Sequence, residues 1–426
     1  MKKFHRSLFA TAILLAAGGV NAAAFQLAEV SSSGLGRAYA GEAAIADNAA
    51  VVATNPALMS LFDANQFSAG GVYVDSKIRM EGQIALQGTA LKADAHKSSV
   101  VPGSFVPNMY FISPINDKFA VGGGMNVNFG LKSEYEDNYA AGIFGGTTDL
   151  TALNLNLSGS YRVTEQFSAG LGINAVYAKA EVERTAGFLA PLMSAPAGTP
   201  LVHLQDKNAW GFGWNAGLSY QINERNRFGL AYHSPIDIDF KDHNALSRAA
   251  APHRGGQLTG VGELTLKLPS YWEFSGFHQI TDKLALHYSY KYTDWHRFKE
   301  LRGTYQDGVD AFYKEENYRA NSRIAFGATY ALNDALTLRA GIAYDEAAAT
   351  GKHASASIPD TDRTWYSFGA TYKFTPDLSI DAGFAHLHGK KIQFTEESNF
   401  AGRKVVAQYR SKSSANLYGL NLNYRF

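Results

Sequence analysis

The chain has no cysteine among its 426 residues. Disulfides, thiolate-held metals and a cysteine nucleophile are therefore excluded. It also lacks an unbroken apolar run of about eighteen residues, the least that a spanning helix needs. There is no basic excess, since 39 Lys and Arg face 38 Asp and Glu. That speaks against a nucleic-acid partner. Signatures of catalysis are missing as well: there is no GxSxG, no HExxH and no P-loop. Gly34-Leu35-Gly36 lacks the strand–helix setting of a nucleotide fingerprint. His386 and His388 share a strand face, but no third ligand stands near them in sequence, so neither a metal nor a cofactor is expected.

What is present begins with a leader. Lys2, Lys3 and Arg6 precede a short apolar core, Leu8 to Val20, and Val20-Asn21-Ala22 is a small-residue cleavage site. Residues 1–22 read as a secretory signal peptide. After about residue 65 the chain alternates. In "LNLNLSGSYRV", residues 153–163, Leu153, Leu155, Leu157, Tyr161 and Val163 share one face, and Asn154, Asn156, Ser158, Ser160 and Arg162 the other. Successive side chains of a strand point to opposite faces, so such strands are oily on one side and polar on the other. "LALHYSYKY", "LTLRAGIAY" and "YSFGATYKF" repeat the pattern.

A soluble sandwich would alternate too. Three features favour a membrane barrel, apolar outside and polar inside. Aromatic residues such as Tyr161, Phe167, Tyr220, Phe228, Tyr372 and Phe374 flank turns, as an interfacial girdle would. Short polar turns at 115–118, 163–166, 222–226, 280–283, 332–335 and 374–377 alternate with long connections. With one strand near Gln66–Ile78 and a last one at Ala415–Phe426, the chain provides fourteen strands. The last strand presents Tyr418, Leu420, Leu422, Tyr424 and Phe426 on one face, ready to close the barrel against the first. The expected fold is all-β: a fourteen-stranded antiparallel transmembrane barrel over residues 65–426.

Residues 23–64 fit no strand. They are small, apolar and poor in charge, which argues against disorder. Asn55 is placed to cap a short helix whose first position is Pro56, in "NPALMSLF". A lumen of this width needs filling unless it is an open channel. The segment is therefore expected to be a plug, with Arg37, Glu42 and Asp47 pairing with lumen charges such as Arg162, Lys291 or Asp381.

This stretch, "FQLAEVSSSGLGRAYAGEAAIADNAAVVATNPALMSLF", resembles the N-terminal hatch of the FadL family of outer-membrane long-chain fatty-acid transporters. "GGTTDL", "NLNLSG", "WGFGWNAG" and "IPDTDR" extend the resemblance along the chain. The resemblance implies a hatch, an outer capture groove, a deeper pocket, and a wall opening at a kinked third strand. The matching positions are Asn55, Pro56 and Ala57 in the hatch motif, Asn128, Phe129 and Gly130 at the kink, and Phe25 beside the pocket. Arg184 and Lys314 match the residues that hold the ligand carboxylate. Side-chain parity places Arg184 on the lumen side but Lys314 on the lipid side, unless a loop switches it, and Arg319 is the inward-facing substitute. Apolar Phe188, Leu189, Leu192, Met193 and Leu201 suggest capture on an outer loop.

The resulting expectation is a passive transporter, not an enzyme, in the outer membrane of a Gram-negative bacterium. It would take up long-chain fatty acids or similar hydrophobic compounds. Aromatic hydrocarbons, which relatives carry, are the alternative; a porin or an outer-membrane hydrolase are the others. Expected partners are the hydrophobic ligand, outer-membrane lipid and lipopolysaccharide, and the barrel-assembly machinery, read through Phe426. A monomer is expected.

Overall fold

The computed structural model describes residues 24–243, 262–305 and 308–426. The expected signal peptide lies outside the described residues. Fourteen antiparallel strands form the wall: β1 Gln66–Leu86, β2 Ser104–Pro114, β3 Phe119–Glu134, β4 Gly146–Arg162, β5 Phe167–Thr185, β6 Pro200–Asn223, β7 Asn226–His233, β8 Tyr271–Gln279, β9 Leu284–Thr293, β10 Asn321–Ala331, β11 Leu336–Asp345, β12 Arg363–Lys373, β13 Leu378–Gly389 and β14 Arg403–Arg425. Each pairs with its sequence neighbour, and β14 also pairs with β1 from Gln66↔Arg425 to Leu86↔Val405. That contact closes the barrel, first strand against last. The expected short turns fall where strands meet, the one at 222–226 overlapping the ends of β6 and β7. Two strands are longer than the alternation suggested. β1 runs on past Ile78 to Leu86, and β14 starts at Arg403 rather than Ala415, because both continue as one paired ribbon beyond the wall. A separate four-stranded sheet, from Ile236–Asp242, Gly262–Leu268, Glu300–Tyr305 and Asp310–Glu315, stands at the long-loop end.

The wall is inverted relative to a soluble protein. Leu157 is 62% exposed and Phe212 72%, both pointing outward. Inside, Asn156 Nδ2 donates to Asn174 Oδ1 and Asn215 Oδ1, both at 2.9 Å, and Asn154 Nδ2 to Asn174 Oδ1 at 3.1 Å. Polar amides buried in the lumen thus hydrogen-bond to one another. At the short-turn end Phe119 stacks on Tyr161 and Phe426 on Tyr424.

Residues 24–62 fill the lumen. Helix α1, Ser32–Gly36, is capped by Ser31 Oγ, which accepts from Gly34 N at 3.0 Å. Helix α2, Val51–Thr54, leads into a 3₁₀ turn, Pro56–Leu61. The wall meets this backbone at glycines. A Cβ on Gly36 would lie 2.7 Å from Gly369 Cα, and one on Gly229 would strike the Ala43 carbonyl. The expected charge pairing is corrected here. Arg37 pairs within the hatch, with Glu42 and Asp47 at 2.7 Å each. The tie from Asp47 to the wall runs to Arg339 at 3.4 Å. Arg162 reaches the Ser60 carbonyl, and Asp381 accepts from Asn48 Nδ2 at 3.3 Å. Local pairing wins because the tight turn after α1 brings the two acids back to Arg37.

Candidate ligand site and wall opening

Strand β3 has two unlike edges. Toward β4 it is paired from Phe119↔Tyr161 to Glu134↔Thr147, with one register shift between Val127 and Phe129. Asn128 is the extra residue. A bulge of one residue turns every side chain beyond it to the other face. Below it Ala120 and Asn126 are buried and Val121 is exposed; above it Phe129, Leu131 and Ser133 turn inward. The irregularity thus sits at Asn128, just ahead of Gly130. Toward β2 the pairing stops at Met109↔Met125. Beyond that point β2 stays on β1 as far as Val74↔Ser104, and the two strands part. The start of the hatch takes the vacated edge. Leu27 N donates to Asn128 O at 2.8 Å, and Gly130 N to Phe25 O at 2.9 Å.

Phe25 is 1% exposed and sits in a nest of rings. Its ring centroid lies 4.7 Å from Trp295, 5.3 Å from Phe298 and 6.2 Å from Phe129, all edge to face. Tyr318 closes the nest, 4.9 Å from Phe298. Edge-to-face rings add attraction beyond their buried area. Phe25 therefore clamps the N-terminal segment to the edge of β3 that β2 leaves. Sequence reasoning missed Trp295 and Phe298; the aromatic spacing in "DWHRF" was their only signal.

The hatch motif is held as its residue types suggest. Asn55 Oδ1 accepts from Ala57 N at 3.0 Å, and Pro56 starts the 3₁₀ turn. Asn55 Nδ2 also donates to the Ala43 carbonyl at 2.7 Å and the Leu218 carbonyl at 3.0 Å, joining two hatch segments to β6.

Above the hatch a cleft of about 1360 Å³ opens at the long-loop end. Arg184 and Lys314 both line it, with Met193, Leu201, Phe312 and Phe394 supplying apolar surface. Arg184 comes from the end of β5 and is 3% exposed. It donates to the Thr147 carbonyl at 3.1 Å, the Glu183 carbonyl at 2.7 Å and Thr148 Oγ1 at 3.0 Å. Its guanidinium carbon lies 5.4 Å from the Phe312 ring centre. Lys314 belongs to the outer-sheet strand Asp310–Glu315, not to β10, and irregular residues 316–320 separate the two. That break is why parity counted back from β10 misplaced it. Arg319 is exposed and donates to the Ala347 carbonyl at 3.4 Å; it does not line the cleft.

The capture loop divides. Leu192 is 56% exposed, and Met193 and Leu201 face the cleft. Phe188 and Leu189 are buried with Tyr135, Tyr139 and Phe144, so the surface expected of these two is corrected: they anchor the loop. Two acids went unforeseen. Glu396 Oε1 lies 3.2 Å from Lys314 Nζ, and Glu316 Oε1 lies 3.9 Å from it. Glu316 is fully buried, and burial pushes its carboxyl up to about 7; Lys314 opposes the rise, Glu396 adds to it and Arg184 opposes it. Elsewhere, His386 Nδ1 pairs with Asn416 Oδ1 at 2.8 Å, while His203 Nε2 pairs with Glu181 Oε1 at 2.8 Å beside Glu183.

Residues 13–426 match the family described as outer membrane protein transport protein (OMPP1/FadL/TodX). The chain belongs to this family. It is 59% identical to outer membrane protein P1 of Haemophilus influenzae strain Rd, with 100% of both chains covered. It is 43% identical to the long-chain fatty acid transport protein of Escherichia coli K12, with 99% of each covered. The solved structure of a Pseudomonas aeruginosa FadL homologue superposes with a TM-score of 0.82 at 24% identity, covering 95% of this chain and 100% of that one. The Pseudomonas putida toluene transporter TodX superposes at 0.64 with 18% identity, covering 89% and 95%. As a FadL-family member the protein is an outer-membrane transporter of hydrophobic compounds in a Gram-negative envelope, not an enzyme. The apolar outer face of the wall meets lipid, and the short turns mark the periplasmic end.

Proposed function

We propose that this transporter takes up long-chain fatty acids or closely similar hydrophobic acids. The observation that carries the reading is the pairing of Arg184 and Lys314, far apart in sequence, across one cleft that also holds Met193, Leu201 and Phe312. An oily tail with an acidic head fits such a lining. A neutral aromatic hydrocarbon would have no use for the two cations.

The route has a physical logic. Burying a sixteen-carbon tail is worth roughly 0.8 kcal/mol per CH₂, or about 12 kcal/mol in all. One rigid site of that strength would not release its ligand. The outer cleft captures; the Phe25 nest, at the hatch, is the element whose movement weakens the deeper site. Release is sideways, where β2 and β3 part above Met125, with Asn128, Phe129 and Gly130 as the frame of the gap. The chain carries no nucleotide motif, so flux runs down the ligand gradient. The protein works as a monomer amid lipopolysaccharide, and the exposed Phe426 at the end of β14 is offered to the assembly machinery.

Binding of a fatty acid and of the matching alcohol tests the head-group role. Arg184→Ala should weaken the acid by roughly 2–5 kcal/mol, the loss expected when a buried charge is left without its partner, and the alcohol far less. Equal losses would show that Arg184 does not hold a carboxylate.

A further inference from the structure

Beside the two cations of the cleft lie more buried acids than a carboxylate site needs. Arg184 and Lys314 contribute two positive charges, and buried Glu316 and Glu396 contribute two negative ones. With all four ionised, the empty group is neutral. Lys314 is engaged by the acids, whereas the hydrogen bonds of Arg184 go to neutral oxygens. The two acids differ. Glu396 Oε2 accepts from Ala356 N at 2.9 Å. Neither oxygen of Glu316 has a hydrogen-bond donor, so only nearby charge keeps it ionised.

A ligand carboxylate entering this group would leave one negative charge uncompensated in a place sheltered from water, which is costly. We propose that Glu316 takes up a proton when a carboxylate occupies the cleft between Arg184 and Lys314, so that capture of the acid is coupled to proton uptake. This rests on the carboxylate reading above and adds what that reading leaves out, the balance of charge. One proton from solvent joins a Glu316 oxygen, the ligand stays ionised, and Lys314 turns from the acids to the ligand. The charged and titratable groups facing Glu316 are Lys314 and Tyr318 from its own segment, Glu396 from the strand Ile392–Phe400, and Arg184 from β5. Tyr135 stands beside Glu396 and Arg184, and His353 lies in the cleft wall. A carboxyl already pushed up to about 7 by burial is the one that protonates at least cost.

The test uses the whole protein in lipid nanodiscs, with decanoate and decanol as probes. Titration calorimetry in buffers of different ionisation enthalpy counts protons directly on the unaltered protein. For decanoate, uptake should approach about one proton per ligand above neutral pH, and affinity should fall roughly 100-fold between pH 6 and pH 9. Decanol should bind with no such slope. Glu316→Gln should bind decanoate tightly and without pH dependence. Decanoate binding to the unaltered protein with flat affinity and no proton uptake overturns the inference and spares the carboxylate reading. A slope that persists in Glu316→Gln also overturns it. If Arg184→Ala weakens decanoate and decanol equally, the carboxylate reading falls, and this inference falls with it.

Discussion

The two edges of β3 show how one strand can be fully paired on one side and only partly on the other. Its β4 edge is paired from end to end, and a single bulge at Asn128 is absorbed without loss of the ladder. Its β2 edge is paired only from Ala120 to Met125. Membrane barrels close so that no backbone group faces lipid unpaired. Here the missing partner is supplied by residues 25–27 of the hatch, through two backbone hydrogen bonds. On the proposed sideways release, this stretch of wall opens by letting go of that segment, with the strand ladder intact. Neighbouring strands cannot part that way, because their hydrogen bonds have nowhere else to go.

The largest effect should come from locking the unpaired edge. Asn108→Cys with Asn126→Cys links the positions that would follow Met109↔Met125 in register. Oxidised, this variant should lose uptake to background while still binding ligand, and a reductant should restore it. The same link across the other edge, Val121→Cys with Gly159→Cys, should leave uptake unchanged. Undiminished uptake in the first variant would abolish the distinction between the edges.

A smaller effect is expected from loosening the clamp. Phe25→Ala removes a ring packed against Trp295, Phe298 and Phe129, at a cost of roughly 3–5 kcal/mol of local packing. Hydrogen exchange at the Leu27 and Gly130 amides should accelerate, while amides in the β3–β4 ladder should not. Equal protection before and after the change would mean that the backbone bonds alone hold the segment. The smallest effect should follow Pro56→Gly. Loss of the preset φ at the start of the 3₁₀ turn costs about 0.4–1 kcal/mol. Bilayer recordings should then show a slight rise in ion leakage, with the barrel still assembled.

The wall was legible because its rule is local. Leu155, Leu157 and their polar alternates declare two faces within a few residues, and the short turns declare where the chain reverses. Capping by Asn55 and Pro56 was legible for the same reason: the bond spans two residues. The partners of Arg37 were not, since several acids were chemically equal candidates and only the turn after α1 selected two of them.

By itself, the sequence determined the barrel, its strand number, the plug and the family, since period-two alternation, turn chemistry and the hatch motif are all written in neighbouring residues. The tertiary structure alone decided what surrounds the candidate residues. It brought Lys314 rather than Arg319 to Arg184, set Trp295 and Phe298 around Phe25, and buried Glu316 and Glu396 beside the two cations. Apart from Lys314 and Glu316, two residues apart, these contacts join segments tens to hundreds of residues apart. Their geometry depends on the register of the closed barrel and on one bulged residue in β3, and no local pattern encodes either.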